Sequence, residues 1–269
     1  MTQAVGVLLR QWRERRRLSQ LELSNLADVS TRHLSYVETG KARPTSAMIL
    51  RLTEHLEVPL RERNQLLLAG GFAPAYPEGN LDGEQLEAVR RSLRRVLAGH
   101  EPYPAVVVDR GWTLVDANGA MWRLVEGASA HLLRPPVNLL RLSLHPGGVA
   151  PRIVNLDQWR GHLFRRVRRQ IAATGDGGLR ALLEEMQGYP GGESGGDPHD
   201  VVVPLRLSTA SGELSLFGIT AVVGAPNDVT VAELAVETFF PADAASAAAL
   251  ERSRSVVARF RDSTQRARP

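Results

Sequence analysis

The chain has 269 residues, 43% of them hydrophobic and 23% charged, a length and balance that allow two domains with cores of their own. It contains no cysteine, which excludes disulfides, thiolate zinc sites and cysteine nucleophiles together. The net charge of +4 is unevenly spread: residues 1–70 carry eleven Lys and Arg against seven Asp and Glu, whereas residues 71–269 carry twenty-two of each. The excess therefore lies in one segment, as a phosphate-binding module requires.

No run approaches the roughly 18 apolar residues that a membrane-spanning helix needs, and the N-terminus shows no basic-then-apolar leader pattern. A cytoplasmic protein with no membrane partner is expected.

Taken in order, Leu9 and Trp12 begin a helical pattern over about Val5 to Arg17. Ser19, followed by Gln20 and Glu22, reads as the N-cap of a second helix running to about Ala27, with Leu23 inward. Asp28 falls in the turn, and Ser30 reads as the N-cap of a third helix. In that helix Leu34 and Val37 pack inward, which leaves Thr31, Arg32, His33, Ser35 and Tyr36 outward. Gly40 stops it, and a basic loop of Lys41 to Pro44 leads to a fourth helix through Ile49, Leu52 and Leu56. A fifth follows Pro59. The expectation for residues 1–71 is an all-α domain of five short helices.

Phe72 to Gly79 is rich in Pro and Gly and marks a boundary, after which Leu86, Val89, Leu93 and Val96-Leu97 repeat at helical spacing. Residues 72–100 are thus a linker and connecting helix, which either leaves its arginines solvated or docks the second domain or a second subunit and transmits its state to the first domain. From Pro104 to Asn118 the pattern is strand, turn at Asp109 to Gly111, strand, then a short helix from about Gly119 to Val125. A long helix from Leu156 to about Ala173 carries Trp159, Leu163, Val167 and Ile171, and another covers Leu179 to Met186. Tyr189 to Asp200 reads as a flexible glycine-rich loop, and Val201–Ser208, Glu213–Val223 and Val229–Phe239 as three strands. The expectation for residues 101–242 is an α+β, PAS-like domain with a five-stranded antiparallel sheet. Residues 243–269 form a basic tail that starts as a helix.

The first domain resembles the Cro/C1-type (XRE) helix-turn-helix regulators. The resemblance rests on S-Q-x-E-L at Ser19 to Leu23, A-x-V-S at Ala27 to Ser30, E-x-G-K at Glu38 to Lys41, and Pro44. It implies that the third helix enters the major groove of an operator, with Thr31, Arg32 and Tyr36 reading bases. Arg32 is the strongest of these, since a guanidinium pairs bidentately with guanine. Gln20, Ser30, His33, Ser35, Lys41 and Arg43 would contact the DNA backbone, and Arg13 with Glu38 would form a structural ion pair locking the first helix to the third. Asp28 and Ser24 depart from the glycine and alanine usual at their positions.

The second domain resembles the ligand-binding domain of MmyB-like transcription regulators. The matching stretches are P-A-x-V-x-D-R-x-W at Pro104 to Trp112, Asn118, N-L-L-R-L at Asn138 to Leu142, D-x-W at Asp157 to Trp159, and G-E-L-x-L at Gly212 to Leu216. What this implies is an apolar cavity for a fatty-acid-like ligand. A cavity between curved sheet and helices would be lined by Val106, Val108, Leu114, Leu139, Leu142, Leu163, Val167, Leu216 and Phe217, with Arg141 and Arg165 as carboxylate anchors.

No catalytic constellation is present, and the seven histidines are scattered. No catalytic residue, metal or cofactor is expected, apart from a bound fatty acid or similar apolar molecule. The expected function is a homodimeric, DNA-binding transcription regulator sensing such a ligand. An antitoxin-like protein-interaction scaffold without a small-molecule ligand is the alternative.

Overall fold

The structure, a computed structural model, describes residues 4–195, 202–210 and 212–252. Its contacts divide it into two units. The first takes residues up to Asn80 with Ala172–Gly175 and Ala225–Ala232; the second takes Leu81–Ile171, Asp176–Gly224 and the chain from Glu233 onward.

The first unit contains five helices: α1 (Val5–Arg15), α2 (Gln20–Leu26), α3 (Thr31–Glu38), α4 (Ser46–His55) and α5 (Leu60–Ala69). Their starts are set by side chains that satisfy orphan amides. Ser19 Oγ accepts from Glu22 N at 3.1 Å while Ser19 N donates to Glu22 Oε2 at 2.7 Å, a reciprocal capping box. Ser30 and Thr45 cap α3 and α4 in the simpler way. Asp28 supplies the left-handed backbone of the α2–α3 turn at φ 49°. Leu9, Leu23, Leu34, Ile49, Leu52 and Leu56 are fully enclosed and form the core with Trp12 at its margin. Pro77 O and the Gly79 amide are held by Val229 N and the Asp228 carboxylate, which belong to the same unit.

The second unit is a five-stranded antiparallel sheet in the order β2-β1-β5-β4-β3, a PAS-like arrangement. The strands are β1 (Ala105–Val108), β2 (Leu114–Ala117), β3 (Leu205–Thr209), β4 (Gly212–Val222) and β5 (Ala235–Pro241). One face packs on α7 (Gly119–Leu124), α8 (Leu139–Leu144), α9 (Leu156–Thr174) and α10 (Gly177–Gln187) in the larger core. The other face, through Ala105, Val107 and Val236, receives Leu93 and Leu97 of α6 (Glu87–Gly99). The connecting helix is thus part of this unit, and Arg91 and Arg94 pair with Glu87 and Asp116.

Asn118 ties the sheet to its helices. Its Oδ1 accepts from Ala105 N and Met121 N, at 3.1 and 3.0 Å, and its Nδ2 donates to the carbonyls of Tyr103 and Leu97, at 2.7 and 3.3 Å. One buried amide therefore caps α7, starts β1 and meets the end of α6.

Three expectations require correction. Val229–Phe239 is not one strand: Asp228 Oδ1 accepts from Val231 N at 3.1 Å and winds Val229–Ala232 into a helical turn, α11, so the strand starts only at Ala235. Residues 189–195 are anchored to α9 rather than flexible, because Arg160 Nε donates to Gly192 O at 3.0 Å and Asp157 Oδ1 accepts from Gly192 N at 2.6 Å. Of the third expected strand, Leu205–Thr209 is extended and Val201 lies outside the described residues, as do 196–200 of the loop. The C-terminal helix spans 244–252, and the rest of the basic tail, 253–269, lies outside the described residues.

Candidate nucleic-acid interface and ligand cavity

On α3, Leu34 and Val37 turn into the core and Arg32, His33 and Tyr36 are exposed, so the outward surface is polar, basic and aromatic. Arg32 Nε donates to Tyr36 Oη at 3.1 Å, its guanidinium lies 5.4 Å from the Tyr36 ring centroid, and Lys41 Nζ stands 5.9 Å from the same ring. Tyr36 thereby gathers two cations whose side chains would otherwise sweep through solvent.

Thr31 is more constrained. Ser24 Oγ sends its proton to Leu21 O at 2.9 Å, so in the 2.8 Å contact between the two hydroxyls Thr31 is the donor. Thr31 can then offer a base only its oxygen lone pair and methyl group. The serine that replaces the usual alanine at position 24 causes this.

Gln20 donates one amide proton to Glu38 Oε2 at 2.8 Å and keeps a second for an outside acceptor. Ser30 Oγ accepts from His33 N at 3.2 Å, which leaves its proton for a phosphate oxygen. Ser35 is half-buried, while Lys41 and Arg43 are exposed on the loop after α3. Arg13 and Glu38 meet as a buried fork, with Nε to Oε1 at 2.7 Å and Nη2 to Oε2 at 2.9 Å. Sequence reasoning passed over Gly6, where α1 crosses α3 so closely that a Cβ would strike the Val37 carbonyl.

In the second unit a cavity of about 440 Å³ opens between α7, α8, α9 and the sheet. Its apolar wall includes Trp112, Met121, Leu124, Leu139, Leu142, Leu163 and Phe239. Trp112 lies in left-handed backbone at φ 65°, a conformation that costs a side chain of this size about 1–3 kcal/mol. The turn imposes it: Asp109 Oδ1 accepts from Gly111 N and Thr113 N at 2.8 Å each, and Trp112 O accepts from Leu139 N at 2.8 Å. The indole is fixed further by its Nε1 donating to Gln170 Oε1 at 3.0 Å.

The polar wall comes mostly from α9. Arg166 forks onto the buried Glu237 of β5, reaches Thr220 Oγ1 at 2.7 Å, and stacks 4.5 Å above the Trp112 ring. His162 stacks on Trp159, with centroids 5.3 Å apart. Burial, followed by the charges of Arg166, Arg165 and Arg169, holds the His162 imidazole below its ordinary range. Arg165 and Arg169 also line the cavity, and both are exposed.

Among the residues expected to line a cavity, the structure brings Leu139, Leu142, Leu163 and Arg165 to it. Val106, Val108, Val167 and Leu216 are in the packed core beneath, and Leu114 is partly buried against that core. Phe217 is a correction forced by strand geometry: adjacent residues point to opposite faces, and its ring stacks on Phe240 at 5.6 Å on the far side. Arg141 is another correction, since its fork is spent on Glu185, at 2.8 and 2.6 Å, away from the cavity. His162, Arg166, Thr220 and Glu237 escaped sequence reasoning because no local pattern links one helix to two distant strands.

Among the described residues no helix is long and apolar enough to cross a membrane, and no cluster of His, Asp and Glu could hold a metal ion. A family model for the MmyB-like transcription regulator ligand binding domain matches residues 89–253, more than half of the chain. A second, for a helix-turn-helix domain, matches residues 4–66. No curated protein matches the chain.

Proposed function

The chain belongs to the family of transcription regulators with an MmyB-like ligand-binding domain, preceded here by a helix-turn-helix DNA-binding domain, and we propose that its ligand is a small, apolar, fatty-acid-like molecule held in the cavity of the second unit. The observation that carries this reading is the cavity itself, about 440 Å³ with aliphatic and indole walls and cations on one side. That volume suits one small ligand, and that chemistry suits an amphiphile.

On the DNA side, Arg32 and Tyr36 would read base edges, Thr31 would contribute a lone pair and a methyl group, and Gln20, Ser30, His33, Ser35, Lys41 and Arg43 would hold phosphates. Two chains would bind as a homodimer on half-sites about 34 Å apart. Ligand control would follow from differential affinity, because a ligand that binds one arrangement of the second unit more tightly shifts the population that fits the operator. The absence of a catalytic constellation in the sequence supports a binding protein over an enzyme.

The test uses the full chain, operator fragments recovered by selection from random duplex DNA, and dodecanoate as the probe. Dodecanoate should bind and change operator affinity. Gly218 borders the cavity, and a Cβ there meets Phe239 only at an ordinary 3.7 Å, so Gly218→Leu should fill the space without strain and abolish both effects. Operator affinity indifferent to dodecanoate and to related chains would remove the sensing half of the proposal.

A further inference from the structure

The cations of α9 are not equivalent. Arg166 is neutralised by Glu237 and Arg168 by Glu193, and Arg160 is spent on loop carbonyls. Arg165 and Arg169 line the cavity, yet neither forms an ion pair or side-chain hydrogen bond among the described residues. They stand four residues apart, so they occupy one face of the helix on successive turns, with Cβ atoms about 5–6 Å apart. Two long guanidinium side chains at that spacing can close on a single group between them.

This arrangement selects the headgroup by charge. A carboxylate carries a single negative charge, which one guanidinium fork compensates, as Arg141 does for Glu185 and Arg206 for Glu213 within the same unit. A second guanidinium on the same carboxylate would keep its positive charge unmatched. A phosphate monoester has three terminal oxygens and close to two negative charges, which matches two guanidiniums that have no ion-pair partner among the described residues. Neighbouring groups do not upset this balance. Glu237 is already countered by Arg166, and Glu193, which also feels the charge of Arg165, by Arg168; burial and the surrounding guanidiniums push His162 towards its neutral form, in which it can donate a proton without adding charge.

We propose that the occupant of the cavity is a single-chain amphiphile headed by a phosphate monoester, with its hydrocarbon among Leu139, Leu142, Leu163 and Phe239 and its phosphate gripped between Arg165 and Arg169. This rests on the reading of the cavity as an apolar-ligand site and adds the chemistry of the head.

The experiment follows the tryptophan fluorescence of the full chain, with Trp112 and Trp159 in the cavity wall as reporters. Dodecyl phosphate, dodecanoate, dodecanol and inorganic phosphate are titrated separately below their micelle concentrations. Dodecyl phosphate should bind about tenfold more tightly than dodecanoate, the gain from matching the charge of the second guanidinium. Arg165→Gln combined with Arg169→Gln should bring the two affinities together and leave dodecanol unchanged; both side chains are exposed, and circular dichroism confirms that the variant is folded. Equal affinity for dodecyl phosphate and dodecanoate in the unmodified chain would overturn the proposal, as would a phosphate preference that survives both substitutions. If dodecanol and dodecanoate still bind in those cases, the apolar-ligand reading stands alone; if no chain-bearing compound binds, both readings fall. Inorganic phosphate binding as tightly as dodecyl phosphate would also overturn it, by showing a free-anion site.

Discussion

The guanidinium of Arg13 closes on the carboxylate of Glu38 across the space between α1 and α3, with both side chains almost wholly out of water. Arg13 also donates to Leu18 O at 2.8 Å, and Gln20 donates to the same carboxylate, so the pair fixes how α3 stands relative to the two helices before it. Removing one partner leaves a buried charge, which costs about 3–5 kcal/mol. Arg13→Ala should therefore lower the urea midpoint of the helical unit strongly. The double variant Arg13→Met with Glu38→Leu should lose less than either single change. A double variant that loses as much as the two single changes added together would show that the charges act independently.

At Gly6 the constraint is steric. A methyl group would fall on the Val37 carbonyl, which is backbone and cannot swing aside. Gly6→Ala should destabilise by about 1–3 kcal/mol, against the usual helix preference for alanine. Denaturant melting checks this, and a gain in stability would mean that α1 can ride away from α3 at no cost.

Arg32 and Tyr36 should separate in their effects on DNA. Arg32→Ala should remove discrimination at one base position worth about 1–3 kcal/mol and leave non-specific binding nearly intact. Tyr36→Phe keeps the ring beneath the guanidinium and loses only the 3.1 Å hydrogen bond, so its preference should weaken without changing register. Selection from random duplex DNA with each variant reads both outcomes, and an unchanged Arg32→Ala consensus would take that residue out of the reading set.

Asn118 makes four hydrogen bonds from a buried position. Asn118→Ala would strand the amides of Ala105 and Met121, at a cost of about 1–3 kcal/mol for each unsatisfied group. The second unit should melt markedly earlier, and hydrogen exchange should rise first at those two amides.

His162 predicts the response to acid. Its imidazole is held below the ordinary value of 6.5, by burial first and then by Arg166, Arg165 and Arg169, with Glu237 opposing. Below that value the unfolded chain takes up the proton before the folded one does, so stability must fall as pH drops from 7 towards the folded pKa and level out beneath it. The loss between pH 7 and pH 5 should be larger in the unmodified chain than in His162→Gln. Equal losses would mean that His162 titrates alike in both states.

The helical unit was readable along the chain because its signals are local. A hydroxyl three residues before an acid, as in Ser19 and Glu22, closes on itself whatever surrounds it. The second unit was readable as alternating strands and one long amphipathic helix, but not at Val229–Ala232, where a β-branched run is wound into a turn by the preceding aspartate. Phe217 and Leu216 could not both point to the helix-covered face of the sheet, and only the tertiary structure shows that Leu216 does, in the packed core beneath the cavity.

By itself the sequence determined the two-part organisation, the segment holding the positive excess, and the outward face of α3, because each depends on periodicity, capping or charge within a few residues. Tertiary structure alone decided which arginines are spent and which are available. Arg141 and Arg165 look alike in the chain, yet one is forked onto Glu185 and the other stands at the cavity without a partner among the described residues. A salt bridge is set by which acid the fold brings within about 4 Å, and that acid can lie forty-four residues away, as Glu185 does from Arg141.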